Sequence, residues 1–344
     1  MSGLPASLTC STGSAPAHHG EILQGAFPDS QGRPRRALVT VPYPERGSRA
    51  TFYPDAGRTD IICQPGMSKT QRAAAISMEQ FASANSPSVG GRIEVRSTVP
   101  RGIGMGSSTA DVTAAIRAVA AFHGVTPAAA DIGRIAVEAE CASDPIMIDD
   151  GVGLFAQREG VVLEMLGRRL PRLTVIGCVA APDSRGIDTL ALEPAAYSAA
   201  DLDAFAILRA ALRSAVAAGD KAGVGSVATA SARINQRFLP NPALEFLLDL
   251  CRTCGGCGVQ VAHSGTVAGV IFDPCRTGAE AGAARCADRM EKAGLELTGV
   301  ICVGDSAAIP GNAKVSCAEA GSARLSFTIA GISQYELTSA DSGG

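Results

Sequence analysis

Ser97-Thr-Val-Pro-Arg-Gly-Ile-Gly-Met-Gly-Ser-Ser-Thr-Ala-Asp111 joins a β-patterned segment to a helical one through a turn rich in glycine. Before it, residues 91–99 alternate Ile93, Val95 and Val99 with polar neighbours, the period of a half-buried strand. After it, Val112, Ile116, Val119 and Phe122 recur at helical spacing, and Gly124 supplies a C-terminal stop. Between the two, Gly102, Gly104 and Gly106 lack a Cβ and let backbone N–H groups approach a ligand closely. Ser107, Ser108 and Thr109 open the helix.

A helix N-terminus presents unpaired N–H donors and the positive end of the macrodipole, so the stretch is expected to cradle an anion, phosphate above all. It is not a Walker A loop, because no Gly-Lys-Ser/Thr follows the glycines at the required spacing. Nor is it a dinucleotide fingerprint, which needs an acidic residue about twenty positions on.

A second site-like stretch is Ser14-Ala-Pro-Ala-His-His-Gly-Glu-Ile-Leu-Gln-Gly-Ala-Phe27. It places His18, His19, Glu21 and Gln24 beside a strand-like segment at 37–41. The alternative for the histidines is a pair of partly exposed loop residues. Strands are expected within 37–56 and 91–99, and helices over 68–84, 199–218, 221–237, 242–252 and 276–293. A further helix should start at Thr126-Pro127, an N-cap and N1 pair, and run to about Cys141 with Ile132, Ile135, Ala136 and Ala139 buried. Glu138 and Glu140 flank that stripe, and periodicity does not choose between them. The helix leads into Cys141-Ala-Ser-Asp-Pro-Ile-Met-Ile-Asp-Asp150, where Asp144 is either functional or an Asx turn before proline. Asp149 and Asp150 read as solvated turn residues.

These motifs carry a resemblance. Pro100-Arg-Gly-Ile-Gly-Met-Gly-Ser-Ser-Thr-Ala110 resembles the Pro-x-x-x-Gly-Leu-Gly-Ser-Ser-Ala-Ala phosphate loop of the GHMP kinases, with Met105 for Leu and Thr109 for Ala. Gly20-Glu-Ile-Leu-Gln-Gly25 resembles the Gly-Glu-Leu-Ile-Gln-Gly core of the L-threonine kinase branch, which serves cobalamin assimilation; Ala17, His18 and His19 stand where that branch has Gly, Ser and Cys. Asn235-Gln-Arg-Phe-Leu-Pro240 and Gly258-Val-Gln-Val-Ala-His-Ser-Gly-Thr-Val-Ala-Gly269 are similar to two later motifs of the same branch.

The resemblance implies an α+β, two-domain GHMP kinase fold: a ribosomal S5 domain 2-like N-terminal half and a ferredoxin-like α/β sandwich as C-terminal half. The domains would cover 13–171, with the phosphate loop, and 172–336, before a disordered tail at 337–344. It implies ATP held by Pro100, Gly102, Gly104, Met105, Gly106, Ser107, Ser108 and Thr109. It implies Mg²⁺ on Ser107 or Ser108 and on Glu138 or Glu140, and Asp144 as the group that accepts or holds the acceptor's hydroxyl proton. His18, His19, Glu21, Gln24, His263, Ser264 and Thr266 would bind the acceptor, with Glu21 on an ammonium and His18, His19 or Arg237 on a carboxylate. L-Threonine is the leading acceptor, homoserine, serine or another small alcohol the alternative. A non-catalytic ligand-binding protein is the reading from another class.

Bulk properties set bounds. At 344 residues the chain suits about two cores of ordinary size, roughly 100–200 residues each. A net charge of −3 with no Lys/Arg block argues against nucleic acid as a partner. Neither an export signal nor a run of about 18 apolar residues is visible, so a cytoplasmic protein off the membrane is expected, acting on a small molecule. Self-association as a homodimer is left open. Eleven cysteines without an export signal suit reduced core thiols better than disulfides. Cys251, Cys254 and Cys257 have the spacing of a zinc or iron–sulfur site if His263 or Cys275 were added; the alternative is a helix end turning at Gly255-Gly256 into a strand.

Overall fold

The computed structural model describes residues 9–83, 86–181, 195–304 and 313–315; the expected tail at 337–344 lies outside them. Eleven strands among these residues form one sheet: β1 Cys10–Pro28, β2 Pro34–Pro54, β3 Ile61–Ile62, β4 Gly91–Ser97, β5 Val152–Ala156, β6 Val161–Gly167, β7 Leu173–Val179, β8 Gly258–Val261, β9 Val267–Phe272, β10 Glu296–Val303 and β11 Ala313–Val315. The main path runs β10-β7-β9-β8-β1-β2-β4-β3, with β11 on β1 and the β5–β6 pair on β2. Pairing is antiparallel except for β3 with β4. Seven helices among the described residues cover it: α1 Ser68–Phe81, α2 Ser107–His123, α3 Ala129–Glu140, α4 Ala199–Ala218, α5 Lys221–Asn235, α6 Leu244–Cys254 and α7 Ala279–Lys292. The α+β class is the one expected.

Strand β1 is the principal correction. Residues 10–12 are already strand, with Cys10 fully buried and paired to Val315. The histidine stretch is strand too. Its glycines and its proline hid it, and burial on both faces removed the alternation that marks a half-buried strand. The strand pairs with β2 along nearly its whole length and with β8 at Glu21↔Val261. Its register with β2 shifts at Pro16/Ala17 and twice between His18 and Leu23. Such bulges re-aim neighbouring side chains, and here they send His18 and His19 to different surroundings.

Helix α2 lies against β1 and β2. Every residue from Thr109 to Ala120 is buried, as expected of a helix enclosed on all sides. Alanines at 114, 115, 118 and 120 permit the close fit, and at Gly13 a Cβ would run into the α2 backbone at Ala114 and Ala118. Gly124 ends the helix in the left-handed conformation, its N–H turned back to Ala120 and Ala121.

Helix α3 starts at Ala129 with Ala128 as its N-cap, two residues later than Thr126-Pro127 implies. The N–H of Val125 closes onto Ala120 and completes the α2 cap, so this short connection remains extended. One apolar cluster runs through both halves of the sequence, from Ala17 and Phe27 through Phe205 and Leu212 to Ile301 and Val303.

Candidate active site

The phosphate loop has the backbone its sequence demands. Gly102, Gly104 and Gly106 adopt φ of +75°, +76° and +70°, where an L side chain is strained. Two of them are also hemmed in: a Cβ on Gly104 would meet Ser264 Oγ, and one on Gly106 would meet the His18 ring. Gly106 caps α2, and no side chain hydrogen-bonds to that end of the helix. The first-turn N–H groups are therefore available to an anion.

Pro100 is exposed at the loop's start, and Met105 is buried in the core as its anchor. Ser107 is half-buried. Ser108 donates from Oγ to Glu140 Oε2 at 2.8 Å, and Thr109 from Oγ1 to Asp144 Oδ2 at 3.3 Å. Packing therefore sets Glu140, and not Glu138, beside Ser108. Glu140 ends α3 buried beside Ser108, whereas Glu138 points outward toward Arg134, 4.0 Å away. Glu140 Oε1 is buried without a hydrogen-bond partner. Burial pushes the Glu140 carboxyl up to about 7, against the Ser108 hydrogen bond, which favours ionisation.

Asp144 precedes a 3₁₀ turn at Pro145–Met147 and is the centre of a charged cluster. His18 Nε2 lies 3.0 Å from its Oδ2, an ion-pair contact. His263 Nδ1 lies 4.0 Å from its Oδ1. The His18 and His263 rings stack at 6.5 Å. Burial alone would raise the Asp144 pKa, but the two imidazoles hold it well below the usual carboxylate range. Burial likewise works against charge on His18, and the adjacent Asp144 outweighs it, so His18 titrates above the ordinary histidine range.

Glu21 is fully occupied by His263. Its Oε2 accepts from the His263 backbone N–H at 2.5 Å and its Oε1 pairs with Nδ1 at 2.9 Å. That carboxylate lifts His263 to about 9 in spite of burial. Glu21 does not reach the cavity to take an ammonium, as the sequence suggested; it orients and charges His263.

His19 is also corrected. It is buried behind the sheet, with Nδ1 bonded by the Gln260 amide and Nε2 to Thr298 Oγ1, each at 2.7 Å. Burial lowers it to about 3, a neutral structural ring. Ser264 and Thr266 are buried against Gly104 and support the loop from behind. Arg237 pairs with Asp201 and packs over Phe238, away from the cluster. Asp149 is not merely solvated, since it binds the buried Arg117 at 2.7 Å.

A cavity of about 640 Å³ opens from this cluster. Ser108, Thr109, Glu140, Asp144 and His263 line one end, and Gln24, Arg36, Tyr197 and Asn235 are also among its lining residues. Ser143, like Asn235, lines it from a stretch quoted above, and Lys69, Gln157 and Arg158 line it too; these last three, with Arg36 and Tyr197, went unread in the sequence. No motif marks them, because they reach the cavity from separate elements. The cysteine run makes no centre: Cys251 and Cys254 belong to α6, Gly255 caps it, and among the described residues no three His, Cys, Asp or Glu are placed to share a metal ion.

The family description "GHMP kinases N terminal domain" matches residues 69–150. Two curated relatives are L-threonine kinases. That of Citrobacter freundii is 32% identical over 196 residues, covering 53% of this chain and 62% of the relative. That of Salmonella typhimurium is 29% identical over 196 residues, covering 53% and 60%. The match thus spans about three fifths of the length of these relatives. Among solved structures, the homoserine kinase of Cytophaga hutchinsonii superposes with a TM-score of 0.62 at 14% identity, covering 91% of this chain and 99% of that one. The phosphomevalonate kinase of Streptococcus pneumoniae gives 0.59 at 10%, covering 86% and 100%. At such identities the structures speak for the fold. Fold, glycine-rich loop and sequence matches agree: residues 69–150 match the N-terminal domain of the GHMP kinases, the fold is the one those kinases share, and the chain resembles L-threonine kinase.

Proposed function

We propose that the chain is an ATP-dependent kinase that transfers the γ-phosphoryl group to the hydroxyl of L-threonine, giving O-phospho-L-threonine. The observation that carries this is the position of Asp144, an ionised buried carboxylate held between the start of α2 and the cavity by Thr109, His18 and His263. Phosphoryl transfer asks the protein mainly to position and neutralise. The loop N–H groups would hold the triphosphate, and the acceptor hydroxyl in the cavity would give its hydrogen bond, then its proton, to Asp144. His18 fixes that carboxylate and adds positive charge where negative charge gathers. His263, charged through Glu21, adds a second cation at the same end.

The resemblance to the GHMP kinases implies Mg²⁺. Ser108 and Glu140 fit a hard cation, which takes oxygen ligands: they already touch, and Glu140 retains a buried oxygen without a partner. A Mg²⁺ bound there would offset charge on the phosphate oxygens. Threonine is supported by the two curated relatives; homoserine is kept as the second acceptor because homoserine kinases share the fold.

ADP release with Mg·ATP is the test, across L-threonine, D-threonine, L-serine, L-homoserine, 1-amino-2-propanol, mevalonate and galactose. Selective turnover of L-threonine is expected. Preference for another acceptor would keep the kinase and replace the substrate, and no turnover at all would favour a binding protein.

A further inference from the structure

We infer that Arg36, with Arg158 lining the same cavity, forms an anion subsite that takes the carboxylate of the phosphoryl acceptor and sets a requirement for an amino acid over its decarboxylated analogue. This rests on the kinase reading above, and no sequence motif points to it.

Arg36 lies on β2 opposite Ala26 of β1, and the next residue, Ala37, pairs with Ala156 of β5. In antiparallel pairing, residues directly opposite share a face. Gln24 and Ala26 share one face of β1, so Arg36 projects to the side on which Gln24 lines the cavity, with Gln157 and Arg158 just past the end of β5. The neighbouring arginines are spoken for: Arg33 and Arg35 pair with Asp29, and Arg35 also with Glu159. Among the described residues no carboxylate pairs with Arg36, which reaches the Tyr197 phenol. Arg158 Nε and Gln157 Oε1 are buried without hydrogen-bond partners, as is Ser143 Oγ on the same cavity.

A half-buried guanidinium that faces a cavity and has no counter-ion among the described residues favours a carboxylate, whose two oxygens match its fork. The place also suits the reaction. Arg36 is near enough to His263 to work against its charge, and His263 is in turn 4.0 Å from Asp144. An acceptor with hydroxyl and carboxylate a few bonds apart would bridge Asp144 and Arg36. The acidic groups on the cavity, Glu140 and Asp144, stand at the phosphoryl end and leave the Arg36 end cationic.

The experiment compares wild type, Arg36→Gln, Arg36→Lys and Arg158→Gln on paired acceptors: L-threonine with 1-amino-2-propanol, L-serine with ethanolamine, and L-homoserine with 3-amino-1-propanol. KM for ATP and thermal stability are measured alongside, with binding of each amino acid by calorimetry. For whichever amino acid the wild type uses, kcat/KM is expected to fall about 100-fold in Arg36→Gln. Most of that loss should appear as a smaller ratio of amino acid to amine, with Arg36→Lys intermediate and KM for ATP little moved. If homoserine replaced threonine but still needed Arg36, the threonine reading would fail and this inference would stand. Equal loss on amino acid and amine, a loss confined to KM for ATP, or a wild type that neither turns over nor binds any of the amino acids would overturn it.

Discussion

At the scale of single residues, the charged cluster assigns different duties to groups that look alike in sequence. On the proposed mechanism Asp144→Asn removes the acceptor of the hydroxyl proton while keeping the shape, so nucleotide affinity should stay near wild type and turnover should drop by about 10² or more. An unchanged rate in a single-turnover assay would remove Asp144 from the chemistry. Glu140→Gln should leave the fold intact and raise the Mg²⁺ concentration needed for half-maximal rate, by about tenfold or more; the same substitution at Glu138 should not. The Glu21–His263 pair predicts a pH effect with a definite sign. His263 is raised from 6.5 to about 9 in the fold, so the folded state binds the proton more tightly than the unfolded chain. This stabilisation is complete below pH 6.5 and is lost as pH rises through about 9. Chemical denaturation at pH 6 and pH 9 should therefore show a decline that largely disappears in His263→Gln; a decline unchanged by the substitution would show that the pair is not its source.

At the scale of elements, the phosphate loop and α2 act together. In Gly106→Ala a methyl group enters the space of the His18 ring at a φ of +70°, so both nucleotide binding and the Asp144 contact should suffer. Gly124 has the same φ, yet a Cβ there meets nothing within 4 Å. Gly124→Ala should thus cost only the local backbone strain, about 1 kcal/mol of stability, with ATP affinity preserved. Equal effects of the two on nucleotide binding, read by fluorescence titration, would mean that the loop's glycines serve only the fold. The contrast lies in tertiary neighbours, since the two glycines share a backbone conformation.

At the scale of the whole molecule, the apolar cluster from Ala17 to Val303 crosses from one half of the sequence to the other, and β1 joins β8 at Glu21. The halves share a core, so calorimetry of the free protein should show a single cooperative unfolding transition. Two resolved transitions would indicate that each half holds its own core. The nucleotide analogue AMP-PNP with Mg²⁺ should raise the midpoint of that transition by binding the folded state alone.

What the sequence determined by itself is local. Gly102, Gly104 and Gly106 before a helical apolar pattern specify the turn and the start of α2 with its unpaired N–H donors, because backbone freedom and helical period are properties of neighbouring residues. The stop at Gly124 and helices such as 199–218 were legible for the same reason. Strand β1 was not, since burial on both faces erased its alternation. Nor were the roles of His18, His19 and Glu21, which depend on bulges in β1 and on which distant strand each ring meets. Tertiary structure alone set Glu140 rather than Glu138 against Ser108, since facing Ser108 is a matter of how α3 packs on α2. It alone brought Arg36 and Arg158 to the cavity, because sheet register sets residues far apart in the chain side by side, and nothing in the local sequence encodes that register.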